Sequence, residues 1–75
     1  MKINKFIYEL LERLNKNLFY NVKIYKEYNK HDETYLIRII AKNNYDEYDC
    51  EFTIDKDYLD NTTIQEILNC LLEER

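Results

Sequence analysis

The chain has 75 residues, no Gly, Pro or Trp, two Cys and a formal net charge of −4. That length supports one small core and a single domain over residues 1–75, and it excludes a second module or a linker. The charge is divided: residues 1–42 carry nine Lys or Arg against five Asp or Glu, and residues 43–75 carry two against ten.

The first predicted element is an amphipathic helix. Ile3, Phe6, Ile7, Leu10, Leu11 and Leu14 recur at a 3.6-residue period, with Lys5, Glu9, Glu12 and Arg13 on the remaining surface. Asn15-Lys16-Asn17 is expected to end it, since Asn tolerates the left-handed conformation that Gly usually supplies at a helix end. Leu18 to Tyr28 then reads as a strand, with Tyr20, Val22 and Ile24 on one face and Asn21, Lys23 and Tyr25 on the other. Asn29-Lys30-His31-Asp32 is a turn.

Thr34 to Lys42 is the most apolar strand and the expected centre of the sheet. Tyr35, Ile37, Ile39 and Ala41 line one face, and Leu36, Arg38 and Ile40 the other. After a second turn, Asn43-Asn44-Tyr45-Asp46, the stretch Glu47 to Asp55 alternates cleanly. Tyr48, Cys50, Phe52 and Ile54 point inward; Asp49, Glu51, Thr53 and Asp55 point outward. Short connections between strands favour an antiparallel meander. Ile64, Ile67, Leu68, Leu71 and Leu72 mark a closing helix, with Thr63-Ile64-Gln65-Glu66 fitting a capping box at its start. The expected fold is α+β: a two-layer α-β-β-β-α domain whose three-stranded antiparallel meander carries both helices on one face.

No stretch is long and apolar enough to span a membrane, and the charged start leads into Glu9, Glu12 and Arg13 rather than a signal-peptide core. A cytoplasmic location is expected. Ile, Lys, Asn, Tyr and Phe supply 37 of the 75 residues. This bias fits the codons of a low-GC bacterium or its phage and weakens any argument from the eight Tyr alone. In a reducing cytosol Cys50 and Cys70 read as small core residues rather than a disulfide.

Catalysis is not expected. Ser is absent, His31 stands alone in a turn, and no phosphate loop or metal-ligand spacing occurs. No catalytic residue, metal or cofactor is assigned. Direct nucleic-acid binding also fits poorly, because the lysines are scattered and the acidic half opposes phosphate.

The acids themselves carry the functional signal. Seven fall between Asp46 and Asp60, broken by one cation, Lys56. Outward residues on a strand repeat every roughly 6.6–6.8 Å, near the spacing of successive phosphates on a DNA strand. Carboxylates so placed can occupy a cationic groove built for nucleic acid. Acids are equally ordinary on the solvent side of a strand, where Arg38 can pair with Glu51 and like charge deters aggregation. On the open sheet face, Tyr25, Leu36 and Ile40 form an apolar cluster suited to a homodimer or a foreign partner.

Two stretches resemble the small acidic type II-A anti-CRISPR proteins, the PAM-DNA-mimicking inhibitors of an RNA-guided nuclease. One is Met1-Lys2-Ile3-Asn4-Lys5-Phe6-Ile7-Tyr8-Glu9-Leu10. The other is Leu36-Ile37-Arg38-Ile39 followed by Asn43-Asn44-Tyr45-Asp46-Glu47-Tyr48. The resemblance implies that Asn44, Asp46 and Glu47 enter the pocket where paired arginines read PAM guanines, with Asp49 and Glu51 adding contacts along the strand. The implied partner is a CRISPR effector nuclease, bound without direct nucleic-acid or membrane contact by a monomer or homodimer. This chain departs from the family in having Tyr45 and no Gly in the hairpin, and in a less acidic final helix. The alternative is a non-catalytic structural or regulatory protein that homodimerises through the open sheet face.

Overall fold

The first apolar stripe folds as helix α1 (Ile3–Lys16) in the computed structural model, which describes residues 1–73. Its fully buried side chains are Phe6, Leu10 and Leu14, one helical turn apart. The helix ends in a Schellman motif: the Leu18 N–H donates to Asn15 O and the Phe19 N–H to Leu14 O, each at 3.1 Å. The left-handed position of this motif is taken by Leu18 (φ 68°), not by an Asn. Asn17 instead keeps a negative φ and donates its Nδ2 to Arg13 O at 2.8 Å. Leu18 is largely exposed while Phe19 is buried. Turning Phe19 into the core places the unfavourable backbone on its neighbour, at roughly 1–2 kcal/mol.

Three strands follow as an antiparallel sheet of order β1-β2-β3: β1 (Tyr20–Asn29), β2 (Thr34–Lys42) and β3 (Glu47–Asp55). β1 starts two residues later than expected, and its facial pattern breaks near its start. Tyr20 pairs with Lys42 and Lys23 with Ile40, with a register shift between them. Asn21 (φ 52°) supplies the bulge. Tyr20 is therefore out of phase with Val22 and Ile24, which pack against the core.

The other two strands follow the alternation throughout. Ile37, Ile39 and Ala41 of β2 are buried, as are Tyr48 and Ile54 of β3, while Cys50 and Phe52 are half-buried against the same cluster. Glu33 (φ 54°) closes the β1–β2 turn, where Asn29 Oδ1 accepts from the His31 N–H at 2.9 Å.

A 3-10 turn (Lys56–Tyr58) leads to helix α2 (Asn61–Glu73). The helix begins earlier than the Thr63 capping box predicts. Its N-cap is Asp60, whose Oδ1 accepts from the Thr63 N–H at 2.9 Å. A carboxylate at this position also faces the positive end of the helix dipole, and so outcompetes a hydroxyl. Ile64, Ile67, Leu68 and Leu71 are buried. They meet α1 and the inner sheet face in one cluster that includes an edge-to-face Phe19–Tyr48 pair at 5.6 Å. Cys50 is half-buried against the core cluster, while Cys70 is exposed, so the reading of Cys70 as a core residue is corrected. Cys70 falls at the margin of the apolar stripe, where α2 stands off from β3. Among the described residues, no helix is long and apolar enough to cross a membrane.

Candidate partner-binding surface

The β2–β3 hairpin is organised by Asn43. This side chain is buried, and its Oδ1 accepts from the Tyr45 and Asp46 N–H groups, both at 2.8 Å. Its Nδ2 donates to the Tyr48 hydroxyl at 3.3 Å, and its own N–H donates to Asp46 O at 3.0 Å. The amide thus satisfies two turn donors that no strand partner reaches. Asn44, Tyr45, Asp46 and Glu47 are pushed outward onto the exposed tip. Asn43 was legible only as a turn residue. The signal for more was Tyr48 five positions on, an inward hydroxyl in need of a partner.

The structure brings Asn44, Asp46 and Glu47 together at this tip and sets Asp49 and Glu51 along the open face of β3. Their carboxylates differ in what already holds them. Asp46 Oδ1 accepts from the Glu47 N–H at 2.8 Å. Glu47 pairs with Lys42, its direct cross-strand neighbour, at 3.1 Å. Asp49 is gripped by Arg38 through two bonds, Nε–Oδ1 at 2.9 Å and Nη2–Oδ2 at 2.7 Å. Arg38 was expected to pair with Glu51, its direct partner across the strands. The diagonal residue wins because strand twist swings a long side chain toward it. Glu51 remains exposed beside the pair and adds to the negative field on Arg38.

The acidic line of β3 is therefore partly neutralised by β2. The Arg38 hydrogen bonds hold the Asp49 carboxyl below its ordinary value, with charge attraction adding and desolvation opposing. A carboxyl depressed in the folded state stabilises the fold above its unfolded pKa, and that contribution is lost as pH falls through the folded value. The window lies at and below the ordinary aspartate range, about pH 3.9. In an NMR titration the Asp49 carboxyl is expected to titrate below the ordinary aspartate value, and to return to the ordinary range in Arg38→Gln. Equal midpoints in the two proteins would refute the fork. Because the pair is exposed, its net contribution to stability is small.

Tyr25 and Leu36 are exposed on the same sheet face and Ile40 is half-buried, with Arg38 between them. The apolar cluster read from the sequence is present, but a charged pair runs through its middle. Among the described residues, no group of three or more His, Cys, Asp or Glu is placed to hold a metal ion. His31 sits in the exposed β1–β2 turn. Comparison with protein-family models, curated proteins and solved structures finds no match.

Proposed function

We propose that this chain is a non-catalytic inhibitor that inserts its β2–β3 hairpin into a cationic, nucleic-acid-binding groove of a protein partner. The carrying observation is the braced tip, where Asn44, Asp46 and Glu47 are all exposed on a turn held by the buried Asn43. A carboxylate on a rigid turn can meet an arginine fork without first ordering a loop. The anti-CRISPR resemblance makes the partner an RNA-guided nuclease in the bacterial host cytoplasm, and the blocked step recognition of target DNA. Glu51 extends the same charge along β3, while Asp49 is already committed to Arg38. Homodimerisation through Tyr25, Leu36 and Ile40 is the weaker reading, since it would desolvate the Arg38–Asp49 pair lying between them.

The test is a titration of the chain into a guide-loaded type II-A nuclease, with PAM-bearing duplex DNA as competitor. Binding that the DNA displaces, and that weakens with salt, is expected. The double variant Asp46→Lys, Glu47→Lys is expected to bind at least about 100-fold more weakly, equivalent to about 2.7 kcal/mol. Its circular dichroism and urea midpoint should stay close to those of the parent. Undiminished binding by the variant, or indifference to DNA, would sink the proposal.

A further inference from the structure

The two free edges of the sheet are protected differently. β1, one edge strand, is bent by the Asn21 bulge in its pairing with β2 and carries Lys23 and Lys26, common devices against strand pairing. β3 pairs with β2 in unbroken register from Lys42↔Glu47 to Thr34↔Asp55, and contains no Lys, no Pro and no bulge. Its outer edge is a regular row of backbone donors and acceptors. Beside that edge α2 stands away from the sheet and leaves a groove of about 650 Å³. Phe52, Tyr58 and Ile67 give the groove an apolar wall. Its charged lining residues are all acidic: Asp55, Asp60 and Glu66.

We propose that the β3 edge and this groove accept an extended, basic segment of a partner protein as a fourth strand. Main-chain hydrogen bonds to β3 would supply affinity, and alternate side chains would enter the groove. Charge selects the occupant. A second copy pairing β3 with β3 would set Glu47, Asp49, Glu51 and Asp55 against their own equivalents, with no cation on either strand to relieve them. A segment alternating Lys or Arg with apolar residues meets both the acids and the apolar wall. The groove end of β3, at Asp55, lies roughly 27 Å along the strand from Glu47. The hairpin-tip proposal rests on Asn44, Asp46 and Glu47, whereas Glu66 lines only the groove, so Glu66→Lys tests this proposal without touching the tip.

The probe is a synthetic Lys-Val-Lys-Val-Lys-Val-Lys peptide, titrated into the isotope-labelled full chain at 150 mM salt and followed by amide NMR. Saturable shifts confined to β3 and α2, with slowed amide exchange along Glu47–Asp55, are expected. The same peptide with its central Val replaced by Pro should bind at least about 10-fold more weakly, since Pro cannot donate to the ladder. Glu66→Lys, an exposed change on α2, should weaken binding several-fold while leaving the fold intact. Shifts scattered over the whole surface, or equal binding of the Pro peptide, would reduce the effect to non-specific charge attraction and overturn the proposal. A β3-to-β3 dimer of the free chain in sedimentation would overturn it too.

Discussion

Phe6→Ala is expected to lower the unfolding free energy by about 3–5 kcal/mol. A domain of this length has a total of roughly 4–11 kcal/mol, so the variant should be partly unfolded at room temperature or close to it. The reason is positional as well as volumetric. Phe6 is fully buried on α1, the helix that packs on both β1 and α2. Removing its ring opens a cavity at the junction of both layers, where neither the sheet nor α2 can collapse without losing contacts of its own. Phe6→Leu retains most of the volume and should lose less than about 1.5 kcal/mol. Urea unfolding followed by far-UV circular dichroism measures both. A Phe6→Ala midpoint within about 1 kcal/mol of the parent would contradict this description of the core.

Asn43→Ala should be the most damaging polar substitution, at about 2–3 kcal/mol. Two turn N–H groups lose their acceptor and the buried Tyr48 hydroxyl loses its donor, at about 1 kcal/mol each. Two further variants divide the effect. Asn43→Asp keeps an acceptor for both N–H groups but not the donor to Tyr48, and places a charge in a buried site. Tyr48→Phe removes only the hydroxyl contact and should lose about 1 kcal/mol. If Asn43→Ala and Tyr48→Phe proved equally mild, the two backbone bonds would not be what holds the turn. The functional corollary follows from position. The turn that carries the exposed Asn44, Asp46 and Glu47 is held by this amide, so its loss should weaken partner binding before any contact residue is altered.

Most of the fold was legible because strand alternation is a two-residue signal with little room for error. Ile37, Ile39, Tyr48 and Ile54 could face only one way once their neighbours were polar. Errors arose where one local preference met a stronger tertiary demand. Burial of Phe19 put Leu18, a poor candidate, into the left-handed position in preference to Asn15 or Asn17. The bulge at Asn21 shifted Tyr20 out of phase, and a single Asn gives no warning of a register shift. The capping-box spacing from Thr63 to Glu66 pointed to Thr63 as the cap, whereas Asp60, three residues earlier, accepts from the Thr63 N–H. The five candidate residues fall on the turn and the outer face of β3, where the alternation put them. Which carboxylates were already spoken for was not readable, because diagonal pairing depends on twist rather than on order along the chain.

Among the described residues Leu18, Asn21 and Glu33 adopt positive φ, and the chain contains no Gly at all. The strain is real in the folded state, yet the same composition acts on the denatured ensemble. Gly is the residue with the most backbone freedom to surrender on folding, and here none is surrendered. A stiffer unfolded chain begins closer to the native state in entropy. That difference helps so small a core hold a two-layer fold together with no disulfide and no metal-ligand cluster among its described residues.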